Sequence, residues 1–432
     1  MAGQGTAIFR APARRDIMPV RNRAIPVSPI TQFAAYGIFL ASYVVFAIGK
    51  FPGTKIDRPG MAIIGAVLMF VIRSLGPGEA VDSIDFPTLV LLFSMMVLVG
   101  SLHLAGFFDW VTELAVSRLK PHHLLPTVIF LTGALSAFFV NDIICLVMVP
   151  FVLVATRRMG VRPVPYLLAV ATASNIGSVA SITGNPQNML IGSFSRIPYR
   201  DFLWHLGPVA LVGLLVDWLV LWIVCARAGR RDPSTDVAPA VHVEAGRLLK
   251  PGLVIAAVMA GFLAGLSPAL VAAVGAAMML ITRTREPREI YDQVDWGILV
   301  FFVGLFVIVG GAEHAGLMDR LRFVTRQASL EQPAVFTVVV AGLSNIVSNV
   351  PAVMLLKSLV PHFANAHRGW LLLAMASTLA GNLTITGSVA NIIVVERARG
   401  EADVTFWEYF RAGFPVTLLT LAFGWFWLSW VG

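Results

Sequence analysis

Runs of apolar residues set the layout of this chain. They predict helices over about Ile30–Gly49, Met61–Ser74, Phe86–Leu104, Pro163–Ala180, Phe202–Ala226, Leu249–Leu266, Ala269–Ile281, Trp296–Ala312, Trp370–Ala380 and Ala412–Trp430. Several are shorter than the roughly 20 residues a straight membrane span needs, so either their edges extend or the helices are broken. Two further runs, Leu124–Ala155 and Ala334–Leu359, are interrupted by polar clusters. They predict pairs of spans or re-entrant hairpins.

The pattern occurs twice. FPTLVLLFSMMVLVGSLHLAGFFD (86–109) aligns without gaps on WGILVFFVGLFVIVGGAEHAGLMD (296–319), an offset of 210. LSAFFVND (135–142) aligns on LSNIVSNV (343–350) at 208, ITGNPQN (182–188) on ITGSVAN (385–391) at 203, and DFLWHLGPV (201–209) on EYFRAGFPV (408–416) at 207. Any one match is weak, but four in the same order at nearly constant offset indicate internal duplication. If the interrupted runs are re-entrant hairpins, each half has five spans, and an odd number inverts the second half. With the N-terminus outside, the inner loops hold 19 Lys and Arg and the outer side 8. That favours this orientation, although the five-Arg tail argues the other way.

Composition agrees. Of 432 residues, 57% are hydrophobic and only 13% charged, with mean hydropathy +0.80. A soluble domain cannot hide that much apolar surface, so the chain is expected to be an all-α polytopic membrane protein. The net charge of +8 marks loops rather than nucleic-acid binding. Cys145 and Cys225 both lie in apolar segments, which argues against a disulfide framework or a metal cluster. The expected organisation is a disordered basic tail (1–29), a first repeat (30–226), a cytoplasmic linker (227–248) and a second repeat (249–432).

The polar breaks carry the candidate chemistry. A transmembrane backbone must satisfy its own hydrogen bonds, and Gly184, Pro186 and Gly387 would interrupt helices. The freed groups can then line a cavity, with half-helix ends aimed at a solute. Candidate solute contacts are Asn141, Asn175, Thr183, Gly184, Asn185 and Asn188 in the first half. Those of the second are Ser348, Asn349, Asn382, Thr386, Gly387 and Asn391. The bland reading is that such residues only glue helices together. Asp142 is the leading candidate for proton or cation coupling, because a lone carboxylate at membrane depth must face a cavity, pair, or stay protonated. It also suits capping the second hairpin helix. Lys357 either partners Asp142 or a bound anion, or snorkels to the surface. Asp217, mid-helix, is a second titrating group or a packing contact. His103, Glu313 and His314 read as interfacial. No phosphate loop, nucleotide fingerprint or nucleophile elbow is present, so neither an enzyme nor a cofactor is expected. FFDWVTELAVSRL (107–119) and LMDRLRFVTRQ (317–327) read as surface helices.

SAFFVNDIICLVMVPFV (136–152) resembles the first hairpin of arsenite permeases, with an Asn-Asp pair at its tip. STLAGNLTITGSVANIIVVERAR (377–399) resembles the plant silicon efflux transporters and their bacterial relatives. The chain from about residue 30 onward is thus similar to the ion-transporter superfamily, which also includes sodium–dicarboxylate symporters and sodium/proton antiporters. The Ser-Asn-Thr of the dicarboxylate branch is replaced by Ser174-Asn175-Ile176 and Ser344-Asn345-Ile346. The resemblance implies two inverted repeats of about five transmembrane helices, each with a re-entrant hairpin and a broken helix. It also implies elevator-type movement and a homodimer formed by scaffold helices. The expectation is a secondary transporter in the bilayer of a bacterial inner membrane. It would export a small inorganic oxyacid or metalloid, arsenite or silicic acid, in exchange for H+. The alternatives are a sodium/proton antiporter, in which Na+ couples, and a sodium-coupled dicarboxylate or sulfate symporter.

Overall fold

A computed structural model describes residues 28–118, 121–225, 245–281, 286–317, 320 and 329–431. Among them the regular structure is helical throughout. The first half contains α1 (Pro29–Ile48), α2 (Arg58–Val71), α3 (Pro77–Ser83), α4 (Phe86–Leu104), α5 (Phe107–Arg118), α6 (Leu124–Phe138), α7 (Asn141–Met159), α8 (Val164–Ser178), α9 (Pro186–Ser195) and α10 (Tyr199–Cys225). The second contains α11 (Ala245–Leu263), α12 (Pro268–Leu280), α13 (Pro287–Tyr291), α14 (Trp296–His314), α15 (Pro333–Val347), α16 (Asn349–Leu356), α17 (Ala366–Leu379), α18 (Val389–Ala398) and α19 (Phe406–Val431).

The expected tail lies outside the described residues, apart from Ser28, whose hydroxyl caps α1 by accepting from Thr31 N, and Pro29. The expected linker also lies outside them up to residue 244; from residue 245 the chain is already α11. The first expected surface helix is α5, whereas the second, 317–327, lies outside the described residues except for Leu317 and Arg320.

Proline starts many of these helices. Pro29, Pro59, Pro87, Pro186, Pro268 and Pro333 all stand in a first turn, where a missing N–H costs nothing and the fixed φ already suits the helix. Among the described residues, five helices are long and apolar enough to cross a membrane: α1, α4, α10, α14 and α19. On α10 the exposed residues Trp204, Leu211, Leu215, Trp218, Leu219 and Trp222 form one stripe, which suits contact with lipid.

The halves exchange contacts. In the 210-residue register α2 corresponds to α12 and α4 to α14; α2 packs on α14, and α12 packs on α4. Likewise α9 packs on α17 while its counterpart α18 packs on α8, and α10 packs directly on α19. Close crossings depend on glycine. A Cβ on Gly304 of α14 would sit 2.6 Å from the Ala62 carbonyl of α2. Both interrupted runs resolve into two helices with a tip between them, at residues 139–140 and at Ser348.

Candidate functional site

The two breaks are built alike. Helix α8 stops at Ser178, the chain crosses 179–185, and α9 begins at Pro186. In the second half, α17 stops at Leu379, two short 3-10 turns follow, and α18 begins at Val389. Freed carbonyls are captured by one asparagine in each half. Asn188 Nδ2 donates to the carbonyls of Ser178 and Ser181, both at 3.0 Å. Asn391 Nδ2 donates to Gly381 and Thr384, 203 residues on, at 2.7 and 3.0 Å. Asn185 caps α9 by accepting from Asn188 N at 2.8 Å.

A buried amide network ties the halves together. Asn175 Nδ2 donates to Asn382 Oδ1 at 2.9 Å and Asn391 Oδ1 at 3.0 Å. Its Oδ1 accepts from Asn141 Nδ2 at 3.1 Å and Ser388 Oγ at 3.0 Å. All four hydrogen-bonding positions of this side chain are therefore filled by protein. The bond from Ser388 to Asn175 has its counterpart in the bond from Asn185 Nδ2 to Thr378 Oγ1, at 3.3 Å. A buried side chain satisfied in this way rigidifies its surroundings.

The hairpin tips meet the breaks. Asn141 N donates to the Gly184 carbonyl at 3.0 Å. The Asn349 amide satisfies its surroundings when its nitrogen faces Ser377 O (3.0 Å), Ser344 Oγ (2.7 Å) and Gly387 O (3.2 Å), with its oxygen accepting from Gln187 Nε2 at 3.3 Å. Between tips and breaks lies a cavity of about 350 Å³. Asn141, Asp142, Ser348 and Asn349 line it from the tips, Gln187 and Ser388 from the breaks, and Phe46, Asp57, Arg58, Asp295, Phe301 and Phe302 from α1, α2 and α14. Ser348 holds φ at 75°, a conformation that costs a non-glycine residue about 1–3 kcal/mol and recurs at ligand clamps. Asn141 Oδ1 is buried and has no hydrogen-bond partner, an unfilled acceptor on a residue that lines the cavity.

The structure separates the sequence candidates by place. Asn141, Asp142, Ser348 and Asn349 reach the cavity. Asn175, Asn185, Asn188, Asn382 and Asn391 lie fully buried behind it. Thr183, also buried, bonds Tyr199 Oη at 3.0 Å and Phe138 O at 3.2 Å. Gly184 and Gly387 allow the breaks to close on α8 and on the turn at Gly381. Thr386 is exposed and meets Thr384 Oγ1 at 3.4 Å. Lys357 stands apart from Asp142: its Nζ lies 4.0 Å from Glu313 Oε1 and 4.3 Å from the Phe194 ring centroid. Asp217 is buried away from the cavity, against the Thr172 hydroxyl at 3.0 Å.

Sequence reading missed Asp57, Arg58 and Asp295 as cavity residues. Arg58 Nε donates to the Phe46 carbonyl in the last turn of α1, at 2.9 Å. Asp57 caps α2 and Asp295 caps α14. One signal was available: Asp295 aligns with Asp85 at the 210 offset, just ahead of the matching helices.

A family model described as a citrate transporter, CitMHS, matches residues 43–380. The silicon efflux transporter LSI3 of Oryza sativa subsp. japonica is 31% identical, covering 90% of this chain and 95% of that protein. The putative transporter arsB of Dictyostelium discoideum is 23% identical, with 92% of each covered. Two solved transporters share the fold at low identity. The Alcanivorax borkumensis YdaH transporter has a TM-score of 0.56 and 15% identity, covering 93% of this chain and 98% of its own. Neisseria gonorrhoeae MtrF, an antimetabolite efflux pump, has a TM-score of 0.60 and 11% identity, covering 92% and 94%. With most of its length matched by that model and nine-tenths of it aligned to a transporter above 30% identity, this chain belongs to the citrate transporter family of multi-pass membrane transporters.

Proposed function

We propose that the protein is a secondary active transporter that exports a small neutral oxyacid, arsenous or silicic acid, in exchange for protons. The observation that carries this reading is the make-up of the tip cavity. Asn141 offers an unpartnered acceptor to a hydroxyl donor, and Asn349, Ser348, Gln187 and Ser388 surround it with neutral groups. The charges favour the same solute. One guanidinium, Arg58, faces three carboxylates, Asp57, Asp142 and Asp295. Such a lining repels an anion unless protons are taken up, whereas a neutral polyhydroxylated acid meets no such penalty. The name of the rice relative supports the same solute class.

Asp142 is the coupling group. It is half-buried at a hairpin tip, in the cavity and beside the amide network, so its protonation state changes the cost of moving the tip. The hairpins and broken helices move as a bundle against the scaffold helices α1, α2, α4, α11, α12 and α14, in the elevator manner of inverted repeats. On the charge-derived orientation, the cavity faces the cytoplasm. The protein works as a homodimer in the bacterial inner membrane, joined through scaffold helices. An apolar groove of about 980 Å³ along α2, α3, α4, α12 and α14 suits that role.

A second reading follows from Arg58. With Asp142 and Asp295 protonated, its guanidinium would hold a carboxylate, as the family's description suggests. Purified protein in liposomes under an imposed pH gradient decides between the two. Flux of arsenite or silicic acid, lost by at least about tenfold in Asp142→Asn, is the expected result, equivalent to ~1.4 kcal/mol. Citrate flux that needs sodium and fails in Arg58→Gln would establish the second reading instead.

A further inference from the structure

The strongest unassigned cluster lies away from the cavity, where α10 of the first half meets α17 of the second. Asp201 stands in the first turn of α10, His205 one turn later, and His367 in the first turn of α17. His367 Nε2 lies 2.8 Å from Asp201 Oδ2, and His205 Nδ1 lies 3.3 Å from Asp201 Oδ1. One ligand atom from each of the three residues lies within 4.8 Å of the other two. The imidazole centroids are 5.2 Å apart at 70°. All three side chains are partly accessible, with His205 the most enclosed.

We propose that Asp201, His205 and His367 bind a single transition-metal dication, for which zinc is the best fit. Two imidazoles and one carboxylate form a mixed nitrogen–oxygen set that suits zinc and its neighbours rather than calcium or magnesium, which take oxygen. Zinc bonds of about 2.0–2.1 Å in a tetrahedron put neighbouring ligand atoms about 3.4 Å apart. The separation of His205 from Asp201 already has nearly this value, that of His367 from Asp201 needs to open by about 0.6 Å, and the two imidazoles, within 4.8 Å, would close on the ion. His205 Nδ1 also lies 2.9 Å from the Asp201 carbonyl, so binding through that nitrogen exchanges a hydrogen bond for a metal bond. With the two imidazoles and the carboxylate as three ligands, water would fill the fourth position.

The site has a mechanical consequence. It would cross-link helices from opposite halves, 166 residues apart in sequence. A third helix joins them, because Trp427 Nε1 of α19 donates to the His205 carbonyl at 2.9 Å. The ion would therefore clamp three helices where the halves meet. On the charge-derived orientation this end faces outward, so external zinc reaches it. The assignment is independent of which solute crosses the cavity.

The test uses full-length purified protein, stripped with a chelator and equilibrated with zinc chloride. Elemental analysis is expected to give one zinc per chain. Zinc is expected to raise the melting temperature, and cobalt substitution to give the visible absorption of a tetrahedral site. His205→Gln and His367→Gln should each weaken zinc binding by at least about tenfold, while His103→Gln, outside the cluster, should leave it unchanged. Circular dichroism and size exclusion confirm that the glutamine variants remain folded. Should either variant fail to fold, the wild-type cobalt spectrum still decides. Overturning results are wild-type protein that binds no stoichiometric zinc, a cobalt spectrum without tetrahedral bands, or zinc binding that survives the double variant His205→Gln/His367→Gln.

Discussion

The first helix break is sealed and the second is partly open. From Ser181 to Leu190 every residue is buried, whereas Leu383, Thr384 and Ile385 are half-exposed and Thr386 is exposed. The tips differ as well. The first carries Asp142 and turns through Val140 at an ordinary φ of −57°; the second has Val350 opposite Asp142 and turns through Ser348 at 75°. One asparagine lock is common to both. Duplication has therefore kept the device that makes a helix break affordable in a membrane, while charge went to one half and strain to the other. On the proposed function, a sealed half holding the ionisable group and a partly open half holding the strained tip would divide coupling from solute release between them.

Substitutions in matched pairs can break this contrast. The largest effect is expected at Gly184. A Cβ there would meet the Ser178 carbonyl at 2.2 Å, inside a sealed break, so Gly184→Ala should destabilise by about 3 kcal/mol. At Gly387 the nearest atoms are 2.8 and 2.9 Å away, one of them on the Asn345 side chain, and Gly387→Ala should cost about 1 kcal/mol. Thermal unfolding of the two variants should separate them; equal melting temperatures would end the distinction between sealed and open breaks.

Next come the locks. Asn188→Ala and Asn391→Ala each strip two carbonyls of their donor, at about 2 kcal/mol. The second should be the costlier, because Asn391 Oδ1 also accepts from Asn175 Nδ2, whereas Asn188 Oδ1 has no partner to lose. A denaturant titration that ranks them the other way round would show that the link between the halves does not set the cost.

The tips should respond with opposite signs. Ser348→Gly relieves strain and should raise stability by about 1 kcal/mol, while Val140→Gly in the unstrained tip should lower it by at least as much. The smallest effect is expected at Lys357. Its pairing with Glu313 is long, and Glu313 is one-third exposed, so Lys357→Met should change stability by less than about 1 kcal/mol. It should also leave proton-driven flux near the wild-type level.

Much of the fold was legible in the sequence because repeated apolar runs and proline starts are local signals. Phe86–Leu104 is bounded in the structure as its hydropathy predicts. The 203-residue register of ITGNPQN and ITGSVAN reappears as matched pairs of hydrogen bonds. Roles within the site were less legible. Asn175 and Asn141 look alike in the sequence, yet one has all its bonds made within the protein and the other has a free oxygen, a difference that arises only when four segments converge. Arg58 reads as a loop charge until α1 brings Phe46 beside it. Lys357 had two readings in the sequence, and only the fold shows that eight residues of chain beyond Asn349 carry it about 12 Å from the tip, toward Glu313.

The exchange of helices between halves bears on how the protein is made. Helix α2 finds its main partner in α14, which emerges from the ribosome more than two hundred residues later. Until then the Ala62 face that Gly304 will cover has only lipid or chaperone against it. The first half is thus committed to the bilayer as an unfinished surface, and a chain interrupted before α14 presents that surface to the cell's quality-control proteases. What such a product lacks is specific: α6, α7, α8 and α10 already pack on one another within the first half, whereas α2 still waits for its main partner.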